Sequence, residues 1–224
     1  MYSWWVLAII ILLSSLPIFA VYLWFRLAKY QFSLVRFLFV LIAGAVAFFP
    51  ALMMQNFLNF PLTGGRAALF YHFFVRIAFT EELSRLLVLL IFFWINKYFS
   101  PDDSSLASWN HIQKGAATGL VAGLGFAVLE TARHGYLGIG IILLRAITAA
   151  PLHAACGSRV GVAAVMFRSN PLQATLRLLT ATAIHGIYNM MITMPGLPSI
   201  AAILVALSAL ATSILIIRGR QTDE

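Results

Sequence analysis

The sequence predicts an all-α, polytopic membrane helix bundle with about seven transmembrane helices. Of its 224 residues, 62% are hydrophobic, only 10% are charged, and the mean hydropathy is +0.93. Soluble domains usually carry about 25% charged residues. Because a spanning helix uses about 20 apolar residues, this length accommodates about seven spans with short connections. We therefore expect residues 1–224 to form a single integral-membrane domain.

The first predicted span, Trp4 to Phe25, opens the chain. It has no basic segment before its apolar run and no small-residue cleavage site before Arg26, so we expect a retained helix and not a removed signal peptide. Further apolar runs of membrane length follow in order. They are Leu34 to Met54, Ala67 to Ile95, Gly115 to Ala132, Ile139 to Phe167, Leu172 to Thr193 and Ser199 to Ile217.

Small residues recur every four positions in the fourth and fifth spans. Gly115, Gly119 and Gly123 are spaced in this way in the fourth span, and Gly157 and Gly161 in the fifth. This spacing lets two helix backbones approach closely in a membrane. We interpret these glycines as packing residues.

Basic residues near the predicted span ends indicate the orientation, because Lys and Arg accumulate on the cytoplasmic side. One side has only Arg66 and Arg133. The other side has nine: Arg26, Lys29, Arg36, Lys97, Lys114, Arg168, Arg177, Arg218 and Arg220. We therefore expect the N-terminus outside and the C-terminus in the cytoplasm, with the lipid bilayer as the partner of the apolar surface. No segment clusters basic and aromatic residues as nucleic-acid binding requires, so we expect no nucleic-acid partner.

Three of the seven acidic residues, Glu81, Glu82 and Glu130, fall inside predicted spans. An ionisable group at mid-membrane costs at least about 2.5 kcal/mol and usually marks function. Glu81 and Glu82 lie near the middle of the third span, and His153 and His185 near the middle of the fifth and sixth. Polar groups from three helices are thus expected at one depth, with Glu130 approaching from the fourth span.

Local spacing adds supporting residues to this set. Phe126 precedes Glu130 by four residues, and His185 precedes Asn189 by four, so each pair shares a helix face. Arg85 is within ion-pair reach of Glu81 or Glu82, so it would neutralise one carboxylate and leave the other available. Alternative interpretations remain at this stage. The acidic pair with Arg85 can be a structural salt bridge, and each histidine can be a packing residue.

Two glutamates and two histidines at one depth are suited to activating water for hydrolysis. A carboxylate takes the proton, and histidines or a metal stabilise the oxyanion. A catalytic zinc uses about three N or O ligands and keeps one position open. His153, His185 and Glu82 would supply that set. The sequence has no HExxH zinc motif and no GxSxG nucleophile motif.

Four short motifs resemble the PrsW-type intramembrane proteases, within the wider group of CAAX prenyl endopeptidases and bacteriocin-processing enzymes. The similarity covers roughly residues 67–194. It is carried by EELSR at Glu81 to Arg85, GLGFAVLE ending at Glu130, Arg145 followed by Pro151 and His153, and HGIYN from His185 to Asn189. CAAX enzymes read EExxxR and have histidine where Glu130 stands, so the PrsW branch fits better. That branch often has lysine in place of Arg85.

The resemblance implies an intramembrane protease in which Glu81 or Glu82 activates water. It further implies that Glu130, His153 and His185 complete the site and that Asn189 supports it. The family is described both as metalloprotease, with zinc as cofactor, and as glutamic protease. Its members cleave membrane-anchored proteins, notably bacterial anti-sigma factors, so the resemblance implies a multi-pass protein of the bacterial inner membrane.

Two other functions remain as alternatives. One is a non-catalytic scaffold, since a seven-span subunit of gamma-secretase is distantly similar to the family and acts as a scaffold. The other is a small proton-coupled carrier. A carrier predicts inverted repeats and interrupted helices in matching halves, and the sequence shows no internal repeat.

Overall fold

In the computed structural model, residues 4–30, 32–60, 64–99, 110–134 and 138–219 are described, and these residues form helices with no strand among them. The helices are α1 Trp4–Leu27, α2 Leu34–Val46, α3 Phe48–Phe57, α4 Arg66–Phe70, a π-helix Tyr71–Phe79, α5 Thr80–Phe99, α6 His111–His134, α7 Ile139–Ile147, α8 Ala149–Met166, α9 Pro171–Ile192 and α10 Leu197–Arg218. The expected all-α membrane fold is confirmed.

Four helical stretches of the described residues are long and apolar enough to cross a membrane. They are Leu34–Phe57, His111–His134, Ile139–Met166 and Leu197–Arg218, and a shorter apolar stretch covers Leu12–Leu27. Three of the predicted spans are helical but are not among the four: the first, which overlaps the shorter stretch, the third and the sixth. The third and sixth carry polar side chains, Glu81, Glu82 and His185 among them, which lower the hydropathy of those helices. The count of seven spans and the orientation stay predictions.

The third predicted span is one continuous helix with a π-helical segment in its middle. α4 runs into the π-helix, and the π-helix runs into α5 just before the adjacent glutamates. The hydroxyl of Thr80 donates to the carbonyls of Arg76 at 2.7 Å and Ile77 at 2.9 Å at this junction. π-Helical segments are rare and are frequently found at functional sites. The π-helix therefore lies directly before the two glutamates that the charge pattern indicates as functional.

The predicted close approach of the fourth and fifth spans is confirmed as the packing of α6 against α8, the most extensive helix pair of the fold. A Cβ atom at Gly119 would lie 2.0 Å from the carbonyl oxygen of Gly157. A Cβ atom at Gly123 would lie 2.0 Å from the carbonyl oxygen of His153. Only glycine permits these distances, so the small-residue spacing fixes the separation of the two helices.

Helix α8 is buried along nearly its whole length, which places it at the centre of the bundle. Arg159, a charge inside the fifth predicted span, is held there by α10. Its guanidinium donates to the Thr212 hydroxyl at 2.6 Å, the Ser213 hydroxyl at 3.1 Å and the Ala209 carbonyl at 3.2 Å. These bonds satisfy the buried charge and fasten α10 to the central helix.

Candidate active site

Four polar side chains from three helices meet in the interior, as the sequence predicts. Glu81 and Glu82 lie in the first turn of α5, His153 on α8 and His185 on α9. All four are at most 4% exposed. The imidazole rings of His153 and His185 are 5.0 Å apart between centroids and nearly perpendicular. The four groups therefore form one buried polar cluster.

Arg85 pairs with Glu82, and not with Glu81. The guanidinium Nη2 lies 2.5 Å from Glu82 Oε1, and both side chains are fully buried. His185 Nδ1 lies 2.7 Å from the same oxygen. The sequence left the choice between the two glutamates open. The structure shows that the i, i+3 pair forms and that Glu82 is the neutralised carboxylate.

The same guanidinium also joins α5 to α8 and α6. Arg85 Nη1 donates to the carbonyl oxygen of His153 at 3.2 Å, and Nη2 is 3.3 Å from Nδ1 of that ring. The guanidinium carbon lies 4.7 Å from the ring centroid of Phe126, which is 5.3 Å from the His153 ring. Cation–π contacts of this kind are favourable when desolvated. Phe126 thus supports the site through contact with both residues.

Glu130 joins the cluster through His153, and it is paired with a second arginine. Its Oε2 lies 2.5 Å from His153 Nε2 and 2.6 Å from Arg145 Nη2. The sequence analysis expected Glu130 to approach from the fourth span, and it does so from α6. Arg145, on α7, is the counter-charge that holds this carboxylate against the histidine.

Glu81 has a different environment from its neighbour. Gln55 on α3 donates from Nε2 to Glu81 Oε1 at 2.9 Å. The other oxygen, Oε2, is buried with no hydrogen-bond partner among the described residues, and it lies 3.7 Å from His185 Nε2. Sequence reasoning missed Gln55. An amide directly after the second predicted span was the available signal, but no local motif connects it with the third span.

Three side chains of the cluster are arranged as a metal site would require. Glu81, His153 and His185 each offer a ligand atom, and these atoms lie within 4.8 Å of one another. Imidazole nitrogen and carboxylate oxygen are ligands that zinc accepts. The sequence analysis placed Glu82 in this set. In the structure the carboxylate of the group is Glu81. Oε1 of Glu82 is bound to Arg85 and His185.

Asn189 does not make the contact expected of it. It is half-buried on α9, and among the described residues its side chain forms no hydrogen bond. His185 is oriented instead by Glu82, through Nδ1. Cys156 is fully buried, and its thiol contacts the carbonyl oxygen of Ala181 at 3.5 Å, as a packing residue would.

Comparison with known protein families matches residues 33–216 to the PrsW family of intramembrane metalloproteases. Comparison with curated proteins and with solved structures finds no match. The family match covers most of the chain and contains every residue of the cluster described above. This chain therefore belongs to the PrsW family of intramembrane proteases.

Proposed function

We propose that this protein is a metal-dependent endopeptidase that hydrolyses peptide bonds of membrane-anchored proteins. The observation that carries the proposal is the convergence of Glu81, His153 and His185, whose ligand atoms lie within 4.8 Å of one another in the buried core. The catalytic set is these three residues with Glu82, and Glu130 positions His153. Gln55, Arg85 and Phe126 hold them in place.

The three donors are of the types that zinc accepts, and His153 would bind zinc through Nδ1, which Arg85 Nη2 approaches to 3.3 Å in this structure. Two imidazoles and one carboxylate make the three-ligand arrangement of catalytic zinc sites, which keep a further position open. In the part of the chain that the structure describes, the buried Oε2 of Glu81 has no hydrogen-bond partner, as expected of an oxygen that binds a metal. Each histidine also contacts a carboxylate through one ring nitrogen: His153 contacts Glu130 and His185 contacts Glu82. Such outer carboxylates fix the orientation of metal-binding imidazoles.

Each residue of the site has a separate role in the proposed reaction. Gln55 holds one oxygen of Glu81 and leaves the other directed at the histidines. Arg85 keeps Glu82 charged in an apolar interior, because a buried charge requires a partner. Oε2 of Glu82 also lacks a hydrogen-bond partner within the described ranges. We assign this oxygen as the base that accepts the proton of the attacking water. Zinc, when bound, supplies a Lewis acid that polarises the peptide carbonyl and activates the water.

The substrate we propose is a protein with a single membrane anchor, resembling an anti-sigma factor, in the bacterial inner membrane. The family match supports a protein substrate in a membrane. The helices are joined by short connections in the described parts of the chain. The substrate is therefore bound by the helices of the bundle in this proposal.

The test measures metal content and cleavage in the same preparations. Purified protein in detergent is analysed for zinc and incubated with a library of single-span substrates. We expect bound zinc, products that vanish on chelation, and recovery when zinc is restored. Glu81→Gln and His153→Ala should lose both the zinc and the products. His111→Ala, which changes an exposed histidine at the start of α6, is the matched control and should lose neither.

Two results contradict the proposal. Full activity in protein shown to be metal-free would assign the reaction to water activated by a glutamate without a metal. Absence of products with every substrate, in zinc-loaded protein, would favour the scaffold alternative.

A further inference from the structure

A cavity of about 240 Å³ lies beside the start of the π-helix, and none of the clustered glutamates and histidines is among its lining residues. Its walls include Phe60, Gly64, Gly65, Tyr71, His72 and Arg76. The polar walls come from the π-helix, where His72 and Arg76 are four residues apart. No acidic side chain lines the cavity. Its polar character is therefore that of a basic pocket.

Arg76 has no counter-charge in the part of the chain that the structure describes. Its Nε donates to the carbonyl oxygen of Gln55 at 3.1 Å, and no carboxylate of the described residues forms an ion pair with it. The three carboxylates within the predicted spans are bound to other groups, Glu81 to Gln55, Glu82 to Arg85 and Glu130 to Arg145. Arginines within membrane segments normally pair with an acid or face a cavity. Arg76 lines the cavity, and its guanidinium carries further N–H donors besides Nε, which bonds to Gln55.

One residue connects this cavity with the candidate active site. Gln55 accepts from Arg76 through its main-chain carbonyl, and it donates from its side chain to Glu81 at 2.9 Å. Arg76 lies in the π-helix, five residues before Glu81, which lies in the first turn of the following α5. A group bound at Arg76 would therefore lie beside any peptide that reaches Glu81.

We propose that this cavity is a substrate subsite that binds the carboxylate of an acidic residue close to the cleaved peptide bond. Arg76 is the residue that determines this preference. The inference rests on the proposed peptidase function. A guanidinium presents paired donors that match a carboxylate, which favours a carboxylate over a neutral amide of the same shape. The connection through Gln55 favours the substrate chain over a lipid headgroup as the source of the anion.

The test compares matched peptides that differ in one charge. Starting from one cleaved single-span peptide, a Glu is moved through each position flanking the cleaved bond, and each Glu peptide has a Gln counterpart. At one position the wild-type protein should cleave the Glu peptide with a kcat/KM about tenfold above that of the Gln peptide, because a charge-assisted bond is gained. Arg76→Gln should remove this preference through KM, and Arg76→Lys should keep part of it.

A matched control and a charge reversal make the comparison specific. Arg66→Gln changes an exposed arginine ten residues earlier in the same helical segment and should keep the preference. Arg76→Glu should reverse it, so that a peptide with Lys at that position becomes the better substrate. Equal kcat/KM for Glu and Gln peptides at all positions in the wild type would overturn the proposal.

A binding measurement separates this inference from the proposed function. Fluorescent Glu and Gln peptides are titrated into chelator-treated protein, in which no hydrolysis is needed. Tighter binding of the Glu peptide that depends on Arg76 supports the subsite even if no substrate is cleaved. If Arg76→Gln leaves peptide binding unchanged and lowers binding of phosphatidylglycerol in mixed micelles, the cavity is a lipid site and the proposal is wrong.

Discussion

Glu81 and Glu82 are neighbours in the sequence, yet their carboxylates have opposite electrostatic surroundings. Successive residues of a helix point about 100° apart. Glu82 therefore faces Arg85 and His185, while Glu81 faces the neutral amide of Gln55. Among the described residues, each carboxylate keeps one oxygen, Oε2, without a hydrogen bond, but only Glu82 is paired with an arginine. The pair consequently consists of two different groups, and substitutions at the two positions should differ in effect.

Removal of Arg85 should destabilise the fold as well as stop the reaction. Arg85→Ala leaves Glu82 buried without its cation, and breaking a buried pair costs about 3–5 kcal/mol. Arg85→Lys keeps a charge but loses the fork that reaches both Glu82 and His153, so it should retain partial activity. Thermal unfolding in detergent and substrate cleavage measure the two effects. The double variant with Glu82→Gln should be less destabilised than the sum of the single variants, and strict additivity would contradict the pairing.

Glu130 should act on metal affinity without being a ligand. It contacts His153 through Oε2 and is held by Arg145. Loss of an outer carboxylate of this kind typically lowers metal affinity about 10- to 100-fold. Glu130→Gln should therefore weaken zinc binding by that factor, measured by competition with a chelator of known affinity. Arg133→Gln, at an exposed position of the same helix, is the control. Equal zinc affinity in Glu130→Gln and wild type would disprove this role.

At the scale of the elements, the contact between α6 and α8 positions the active-site groups. The Cα of Gly123 packs against the main chain of His153. The contact between the two helices therefore also fixes the position of this histidine. Ser84 on α5 donates its hydroxyl to the carbonyl of Ala47, where α2 meets α3. The site is therefore fixed by backbone contacts between helices in addition to its own ion pairs.

Gly123→Ala should disturb the fold at the histidine. The added methyl would lie 2.0 Å from the His153 carbonyl oxygen, so α6 and α8 must separate. Overpacking of this kind typically costs about 1–3 kcal/mol. We expect a lower unfolding temperature in detergent and reduced zinc content. Gly140→Ala, on α7 with no atom within 4 Å of the new methyl, should change neither. Equal shifts in the two variants would show that the loss comes from the glycine substitution itself.

At the scale of the whole molecule, the prediction concerns orientation. Nine basic residues on one side against two on the other predict a cytoplasmic C-terminus. A reporter fused after Arg220 should therefore be located in the cytoplasm. A reporter inserted near Pro61 should be located outside. A C-terminal reporter that is active outside would exclude the seven-span arrangement with this orientation.

The sequence predicted the helical class and the meeting of four polar groups because burial at membrane depth forces charges together. It did not choose between Glu81 and Glu82 as the partner of Arg85, since i+3 and i+4 are both within reach. In the fold, the contact with His185 on another helix helps to place Glu82 as the partner of Arg85. Gln55 was missed for the same reason, as it reaches Glu81 across helices. The supporting role of Asn189 stays a prediction, because a shared helix face permits a contact with His185 without requiring one.

The π-helix just before Glu81 makes this segment sensitive to chain length as well as to residue identity. Shortening the chain by one residue between Tyr71 and Phe79 would let the π-turns relax into α-turns, which advance about 100° per residue. Glu81 and Glu82 would stay with α5, while His72 and Arg76 would rotate away from them. A single-codon deletion would thus uncouple the basic cavity from the glutamates without changing one side chain in either.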